Sequence, residues 1–272
     1  MAKELTGTGD PARSMALLWR TSPPGRRSPS GVDVDRVVTA AVEVADRDGL
    51  AAVTMRGVAA ALGVGAMTLY THVPGKGELV DLMLDRVLAE AYPDEEPVTS
   101  GPWRGRLTAM AWANWHLFLR HPWAAQIATG RPPLGPNLLA KYELELRAVD
   151  GLGLPEVQMD LLVTLINDFV RGTVGGVHER TEAQAETGIT EDQWWAATEP
   201  FLDRVFDPAR FPTVARVGPV AGAELQAAYA PEQSFRFGLE RLLDGVAALV
   251  AATTVTPNSI TPNSGPTGSS RA

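Results

Sequence analysis

The chain has 272 residues, with 24 Lys and Arg against 32 Asp and Glu, which gives a formal net charge of -8 at pH 7. A composition of 45% hydrophobic and 21% charged residues is typical of a folded globular protein and excludes a disordered polyelectrolyte. Because the chain contains no cysteine, disulfides, cysteine-ligated metals and cysteine nucleophiles are excluded. No apolar run approaches the roughly 18 to 20 residues that span a bilayer, so we expect a cytoplasmic protein without a membrane partner.

The two ends of the chain lack the periodic apolar residues from which a core is built. Residues 1–31 are rich in Gly, Pro, Ser and Thr, and we interpret them as a disordered, mobile arm. Residues 253–272 contain a repeated Thr-Pro-Asn-Ser and are predicted to form a disordered tail. Between these ends the pattern predicts an all-α fold, because no two strand-like runs are joined by a hairpin signal.

Four helices are predicted in the first third of the chain, over residues 33–49, 54–63, 66–72 and 78–92. Asp33 and Thr54 are suitable N-cap residues, since their side-chain oxygens can accept backbone N–H groups, and Gly49 ends the first helix. The fourth helix carries an apolar band too wide for a surface helix. It is therefore expected to pack on two sides.

The rest of the chain is predicted to be helical after a joint at residues 93–102. Helices are predicted over 103–120, from 123, over 136–152, over 155–180, through Trp194 and Phe201, and over 231–252. An acidic stretch at 181–192 is expected to be mobile. The helices over 155–180 and 231–252 are apolar on more than one side, which is typical of helices that bury a face in a partner chain.

The second and third helices have the lengths and the glycine-containing turn of a helix-turn-helix, in which a short helix enters the DNA major groove. With Leu69 and Val73 assigned to the core, the side chains left outward are those of Ala66, Met67, Thr68, Tyr70, Thr71 and His72. A solvated helix would ordinarily carry Glu or Lys on that face. Their absence suits a surface that lies on DNA.

Two basic residues flank this helix. Lys76 can meet a phosphate together with the free N–H groups at the start of the fourth helix. Arg56 can make the bidentate contact to guanine O6 and N7. Alternatively, Arg56 pairs with an acidic neighbour such as Asp48.

The segment from Val53 to Leu79, VTMRGVAAALGVGAMTLYTHVPGKGEL, resembles the DNA-binding signature of the tetracycline repressor (TetR) family. This resemblance implies an all-α homodimer with an N-terminal three-helix helix-turn-helix DNA-binding domain, here residues 32–92 with the connecting helix. It also implies a larger C-terminal helical domain for effector binding and dimerisation, here residues 101–252. Weaker similarity to the tetracycline repressors themselves extends to Trp103, 119–121 and 130–132.

The resemblance also assigns individual contacts. Phosphate contacts fall on Thr54, Thr68, Tyr70, His72 and Lys76, and base contacts fall on Arg56, Ala66 and Met67, with Thr71 on the same face. Ala128 stands where tetracycline repressors place a metal-linked His, and Met110 stands where they place an Asn against the drug. These departures argue against tetracycline with Mg²⁺ as the effector.

Candidates for an effector pocket are Met110, Asn114, Trp115, Phe118, Asn167, Phe169 and Trp194. Asn114 and Asn167 lie within apolar stripes, and a buried amide needs a partner, which is either a neighbouring carbonyl group or a ligand. The aromatic residues either line such a pocket or fill a core. His116 and His121 lie on different helix faces and do not predict a metal site.

Two classes of function are compatible with these patterns. The first is a ligand-responsive transcriptional repressor that a small-molecule effector releases from a palindromic operator, although activation would use the same helix-turn-helix. The alternative is an all-α enzyme or small-molecule carrier with an incidental helix-turn-helix. No catalytic motif or cofactor-binding loop is recognisable, so we expect no catalytic residue, cofactor or metal. The expected partners are double-stranded DNA, an effector and a second copy of the chain.

The arginines of the arm leave one further question open. They are Arg13, Arg20, Arg26 and Arg27. The arm is either a disordered leader or a segment that enters a DNA minor groove.

Overall fold

The computed structural model describes residues 5–21, 31–127, 130–225 and 230–255, and these residues form helices and connecting loops. The helices are α1 (Pro11–Leu18), α2 (Val34–Asp48), α3 (Met55–Ala61), α4 (Ala66–Tyr70), α5 (Lys76–Leu88), α6 (Glu96–Thr99), α7 (Trp103–Arg120), α8 (Pro122–Gln126), α9 (Pro136–Val149), α10 (Glu156–Thr187), α11 (Glu191–Val205), α12 (Pro212–Leu225) and α13 (Pro231–Val255). The predicted all-α fold is confirmed. None of the described helices is long and apolar enough to cross a membrane.

The helices α2 and α3 begin at the residues that the sequence predicts. The carboxylate of Asp33 accepts the backbone N–H of Arg36 at 2.8 Å, and the hydroxyl of Thr54 accepts that of Gly57 at 3.0 Å. Gly63 follows α3 with φ at 69°, a conformation that costs glycine little. These caps fix where each short helix starts and stops before any tertiary contact is considered.

The helix α5 is buried along most of its length, as its wide apolar band predicts. It packs against α1, α2 and α9. Even its carboxylates are buried: Asp81 accepts hydrogen bonds from the Gly7 N–H and the Ser14 hydroxyl, each at 3.0 Å. Asp85 accepts the Leu138 N–H at 2.9 Å. Burial raises the pKa of both carboxyls, and the hydrogen bonds offset part of that shift.

The interpretation of residues 1–31 as a mobile arm is wrong for the described residues 5–21. Asp10 caps α1 by accepting the Arg13 N–H at 3.0 Å, and Leu18 is only 5% exposed. The helix packs along α5. The amphipathic signal is weak because Ser14, a polar residue, occupies a buried position through its bond to a carboxylate of α5.

The same segment reaches the second half of the chain. The Thr6 hydroxyl donates to the Arg131 carbonyl at 2.7 Å, and the Trp19 indole N–H donates to the Leu134 carbonyl at 2.9 Å. Side chain to backbone bonds of this kind leave no periodic pattern in the sequence. Residues 1–4 and 22–30, which include Arg26 and Arg27, lie outside the described residues.

The helix α7 lies at the centre of the second half. It packs against α6, α8, α9, α10 and α13. Its buried side chains are those of Leu107, Met110, Ala111, Asn114, Trp115, Leu117 and Phe118. Buried side chains therefore occur on several faces of α7, which makes it the core helix of this half.

The helix α10 is longer than predicted. The stretch expected to be mobile, 181–192, is helical as far as Thr187 and continues into α11 from Glu191. Its Glu, Ala and Gln residues favour a helix even without an apolar face. The helix ends at Gly188, which has φ at 69°.

The last three helices differ in how much of their surface they bury. No residue of α11 or α12 is buried within the described chain, and α12 is not predicted from the sequence. α13 packs on α7 and α10, with Phe235 and Leu243 buried. It extends to Val255, so the predicted tail from 253 starts within a helix, and residues 256–272 lie outside the described residues.

Gly135, the residue before α9, allows Asp85 to approach the first turn of that helix. A Cβ atom at position 135 would lie 2.3 Å from Asp85 Oδ1. We expect Gly135→Ala to lower the free energy of unfolding by about 1 to 3 kcal/mol, the usual cost of overpacking a well-filled site. Urea unfolding followed by circular dichroism measures this change.

Gly105→Ala is the matched control within α7. There the new Cβ would meet Pro102 Cγ at 3.9 Å and nothing nearer. Since Ala favours a helix over Gly by up to about 1 kcal/mol, this variant should keep or raise the free energy of unfolding. Equal losses in the two variants would contradict the assigned contact.

Candidate nucleic-acid interface and effector site

The helices α3 and α4 are held together by the side chains between them. Val58 of α3 and Leu69 of α4 are fully buried, and Val73 just beyond α4 is buried as well. In the turn, the Val64 N–H donates to the Ala59 carbonyl at 3.0 Å. The inward side of α4 is therefore fixed, and its outward side is left to face the surroundings.

The outward face of α4 is the one that the sequence predicts. Met67 is 77% exposed and Tyr70 is 46% exposed. Of the predicted DNA-contact residues, the exposed ones are Thr54, Arg56, Met67, Tyr70 and Thr71, and the half-buried ones are Ala66, Thr68, His72 and Lys76. None of them belongs to the buried core, so all lie at or near the surface.

Two of these side chains are restrained locally. The Thr71 hydroxyl donates to the Thr68 carbonyl at 2.6 Å, so it can still accept a hydrogen bond but has used its own proton. The Nε2 atom of His72 is buried without a hydrogen-bond partner among the described residues. A phosphate contact by His72 therefore uses Nδ1 or requires the ring to rotate.

The charge of this surface differs from that of the whole chain. Residues 49–77 contain Arg56, His72 and Lys76 but no Asp or Glu, although the chain has 32 acidic residues. The acids on either side are engaged elsewhere. Asp48 pairs with Arg47 at 2.6 Å, so the alternative pairing of Asp48 with Arg56 is not formed.

The next acid along the chain is turned inward. Glu78 is buried at the start of α5, and its Oε1 accepts the Asp10 N–H at 3.1 Å. The N-terminal segment thus covers a carboxylate that follows Lys76 by only two residues. As a result the start of α5 is not shielded from a phosphate by an exposed negative charge.

Four polar side chains converge on the carboxylate of Glu145, which lies in the second half and is itself buried. Its Oε1 accepts hydrogen bonds from Tyr92 Oη at 2.8 Å, Asn114 Nδ2 at 2.9 Å and Lys141 Nζ at 2.5 Å. Its Oε2 accepts from Asn167 Nδ2 at 3.1 Å. We call Glu145, Tyr92, Asn114, Lys141 and Asn167 the Glu145 network.

The network fixes the orientation of two of its members. Burial, followed by the nearby charge of Glu145, raises the pKa of Tyr92 well above its ordinary value, so its hydroxyl remains a donor. Asn114 is fully buried, and its amide nitrogen also donates to the Met110 carbonyl at 3.0 Å. Its Oδ1 has no partner among the described residues. Turning the amide over would set Oδ1 against the Glu145 carboxylate, so the observed orientation of the amide is the favoured one.

An aromatic cluster forms where α7, α10 and α13 meet. The rings of Trp115 and Phe235 stack with centroids 4.4 Å apart, and Phe169 stacks on Phe235 at 5.7 Å. Trp112 meets Phe235 edge-on at 4.8 Å. Gly238 makes this possible, because a Cβ there would lie 2.6 Å from the Phe169 ring. We call Trp112, Trp115, Phe169 and Phe235 the aromatic cluster.

The structure brings some effector candidates together and separates others. Asn114 and Asn167 share Glu145, and Trp115 and Phe169 share Phe235. Met110 and Phe118 are buried in the same helix, α7. Trp194 lies apart, 47% exposed on α11, beside a groove of about 440 Å³ between the end of α10 and the start of α11.

Sequence reasoning missed four residues of these two clusters, namely Tyr92, Lys141, Glu145 and Phe235. Lys141 and Glu145 did carry a signal, since a Lys and a Glu four residues apart lie on one side of a helix. Nothing in the sequence shows that this pair is buried. Tyr92 and Phe235 join the clusters only through tertiary packing.

The described residues contain no group of three or more His, Asp or Glu side chains that could hold a metal ion. Ala128, at the position where tetracycline repressors place a metal-linked histidine, lies outside the described residues. Among the described residues, the candidate effector site is made of hydrogen-bonding side chains and aromatic rings.

Comparison with known proteins identifies two matching family models. Residues 37–83 match the model for bacterial regulatory proteins of the tetR family. Residues 94–250 match the model for the tetracycline repressor-like C-terminal domain. The first match covers α3, α4 and the turn between them, and the second covers both the Glu145 network beyond Tyr92 and the aromatic cluster.

Full-length relatives agree with these matches. The chain is 40% identical over 255 residues to the HTH-type transcriptional repressor DrrR1 of Streptomyces coeruleorubidus, covering 91% of this chain and 90% of that protein. It is 33% identical over 248 residues to an HTH-type transcriptional regulator of Saccharopolyspora erythraea, covering 91% and 97%.

Solved structures show the same architecture. ActR of Streptomyces coelicolor, a TetR family protein solved in complex with actinorhodin, superposes with a TM-score of 0.65 at 28% identity, covering 80% of this chain and 96% of that one. The same protein has been solved with (S)-DNPA, with a TM-score of 0.64. Together with the exposed α4 and the acid-free stretch around it, these matches show that the chain belongs to the TetR family of bacterial regulatory proteins, which are DNA-binding transcriptional regulators rather than enzymes.

Proposed function

We propose that the protein is a cytoplasmic homodimer that binds a palindromic operator through α4 of each subunit and leaves it when an aromatic small molecule binds. The DNA-binding part of the proposal rests on residues 49–77, which contain no Asp or Glu and include the exposed helix α4, in a chain of net charge -8. Phosphate contacts supply much of the affinity for DNA. An acidic protein can approach DNA closely only through a face without carboxylates.

The individual contacts follow from exposure and chemistry. We assign phosphate contacts to Thr54, Thr68, Tyr70, Thr71, His72 and Lys76, and base contacts to Arg56, Ala66 and Met67. Met67 is the most exposed of the α4 side chains, and its apolar end suits the methyl group of thymine. Arg56 carries the guanidinium that suits guanine.

A second copy of the chain is the proposed partner of α10 and α13. Leu161, Leu165 and Leu249 are exposed along a groove of about 500 Å³ between these two helices. Phe237 of α13 is also exposed. Apolar side chains in this number along two adjacent long helices are typical of a symmetric dimer interface. Binding to a palindrome would then require the two α4 helices to lie about 34 to 36 Å apart, one turn of DNA.

The proposed effector is a flat aromatic molecule that carries polar substituents. A flat molecule that separates the stacked rings of the aromatic cluster would gain ring contacts, and the Glu145 network next to it along α7 and α10 would offer the unpartnered Asn114 Oδ1. ActR, similar in fold, is known with actinorhodin and with (S)-DNPA. Met110 in place of the drug-contacting Asn supports an effector other than tetracycline.

Release from DNA requires that the effector favours a conformation other than the operator-bound one. The Glu145 network provides a route, because Tyr92 lies just beyond α5 and donates to Glu145. α5 packs in turn against α2, which packs against α3. A ligand that displaces Asn114 or Glu145 would therefore shift the helices that carry α4.

The proposed DNA contacts of Arg56 and Lys76 predict two different mutational effects. Arg56→Ala should cost about 1 to 3 kcal/mol of operator binding and relax the preference for one base pair, because it removes a base contact. Lys76→Ala should weaken binding to all sequences and lower the slope of log affinity against log salt by about 1. Fluorescence anisotropy with the DNA upstream of the protein's own gene, in a salt series, measures both.

Arg147→Ala is the control for this pair. Arg147 is exposed on α9, and its replacement by Ala removes one positive charge at a site far along the chain from α3 and α4. Its operator affinity and salt slope should match those of the wild type. Unchanged binding in both Arg56→Ala and Lys76→Ala would rule out the assigned face.

The dimer predicts that a charge on the groove prevents association. Leu161→Glu should raise the dimer dissociation constant about 100-fold or more, because symmetry places two buried carboxylates in the interface. Sedimentation velocity measures the mass. Leu139→Glu, at an exposed site on α9, should leave the protein dimeric. A dimeric Leu161→Glu would count against this interface.

The effector site predicts a change in release rather than in DNA binding. With actinorhodin as probe, Asn114→Leu should raise the concentration for half-release of the operator about 10-fold, because one buried hydrogen bond is lost. Tyr142→Phe is the control, since this α9 hydroxyl bonds to Asp160 and lies outside the Glu145 network. Release that is equally sensitive in wild type and Asn114→Leu would place the effector elsewhere.

A further inference from the structure

His121 is an unusual residue at the junction of α7 and α8. It is only 4% exposed, and both of its ring nitrogens face carboxylates. Nδ1 lies 2.8 Å from Asp46 Oδ1, and Nε2 lies 3.2 Å from Glu90 Oε2. Asp46 belongs to α2 and Glu90 lies two residues beyond the end of α5, so one side chain from the second half meets α2 and the segment that follows α5.

The two carboxylates receive further hydrogen bonds from the same corner of the chain. The Trp123 indole N–H donates to Asp46 Oδ1 at 2.6 Å, and Arg120 donates to Glu90 Oε2 at 3.0 Å. Burial alone would raise the pKa of Glu90, but the hydrogen bonds from His121 and Arg120 outweigh burial and hold it below its ordinary value. Glu90 therefore stays charged and can only accept hydrogen bonds.

The protonation state of the ring follows from this geometry. A neutral imidazole has one N–H and one lone pair, so it can donate to only one of two carboxylates. The lone pair of the other nitrogen would then face negative charge. Only the imidazolium can donate to Asp46 and Glu90 at the same time. The tie between the two halves is complete only when His121 carries both protons.

The other charged groups near this corner bind elsewhere. From α10, Arg171 donates to the carbonyls of Ala124, Ala125 and Ile127, and His178 lies 3.0 Å from the Phe118 carbonyl. These contacts hold the backbone on both sides of His121 to α10. The charged groups that face the ring itself are Asp46 from α2 and Glu90 after α5, with Arg120 of α7 beside Glu90.

We propose that His121, as an imidazolium, is the positioning residue that holds α2 and α5 against the second half in the arrangement that binds the operator. It touches neither DNA nor effector in this proposal and acts through the helices that carry α3 and α4. The inference rests on the proposed operator-binding mode. Without the second proton, His121 would no longer hold both helices, and α2 and α5 would be freer to move. The free energy needed to order them again would weaken operator binding.

The test compares operator affinity across pH in variants that change the need for a proton. Fluorescence anisotropy is measured with the upstream DNA at fixed salt from pH 6.0 to 8.5. Wild-type affinity should fall about 10-fold from the lowest to the highest pH, because a ring with one N–H can donate to only one of the two carboxylates. His121→Gln should bind about 10-fold more weakly at pH 6.0 and show little further loss.

Glu90→Gln separates positioning from a merely structural role. An amide at position 90 can donate to the lone pair of a neutral His121, so both contacts survive without the second proton. This variant should keep most of the wild-type affinity at pH 6.0 and lose the pH dependence. A purely structural histidine would not produce that rescue, and the result stands even if His121→Gln fails to fold.

Two other histidines serve as controls. His116 is exposed on α7 and stacks on Trp112, and His116→Gln should reproduce the wild-type profile. His72 is one of the proposed DNA-contact residues, so His72→Gln should bind the operator more weakly at every pH but retain the loss of affinity between pH 6.0 and 8.5.

The outcomes distinguish this inference from the proposed function. Operator binding by the wild type with no pH dependence beyond that of His121→Gln would overturn the role of His121 alone. So would tighter binding by His121→Gln, or a Glu90→Gln profile that still falls with pH. Failure of the wild type to bind the operator at every pH would overturn the proposed function as well.

Discussion

The burial of α5 is the constraint on which the rest of the structure depends. A helix packed against α1, α2 and α9 cannot leave its carboxylates to water, so Glu78, Asp81 and Asp85 must each be satisfied by another segment. The hydrogen-bond donors come from two separate segments of the chain. They are Gly7, Asp10 and Ser14 before α2, and Asn137 and Leu138 at the start of α9. Each of these bonds fixes a segment distant in sequence relative to α5. The N-terminal segment, the helix-turn-helix and the second half therefore share one buried helix as their common reference.

The same arrangement explains how an acidic chain keeps a surface fit for DNA. The acids nearest to α4 in sequence are Asp48 and Glu78: the charge of Asp48 is paired with Arg47, and Glu78 is covered by the backbone at Asp10. Charge over the whole chain says little about such a surface, because interactions beyond about 8 to 10 Å are screened at physiological salt. What matters is the local absence of carboxylates between residues 49 and 77.

Local signals predicted the parts of the fold that are encoded locally. The caps at Asp33 and Thr54 predicted the starts of α2 and α3 correctly, because capping depends on neighbouring backbone groups. The prediction of a mobile arm over residues 1–31 is wrong for 5–21, because Ser14 of α1 donates to Asp81 of α5, and Thr6 and Trp19 on either side of α1 donate to the carbonyls at 131 and 134. For the effector site, Asn114 and Asn167 were recognised as polar residues in apolar stripes. Their common partner Glu145 could not be recognised from the sequence, because its burial depends on α7, α9 and α10 together.

The short segment after α5 contacts both the Glu145 network and His121. Glu90 faces His121 and Arg120, whereas Tyr92, two residues later, donates to Glu145. The segment is thus held from two directions by the second half, and α5 behind it is close-packed along its length. Close-packed interiors respond to a displaced neighbour by shifting as units rather than by deforming locally. Under the proposed effector response, a change in the position of Glu145 would reach α5 as a movement of the whole helix, and through α2 it would reach the helices that present α4.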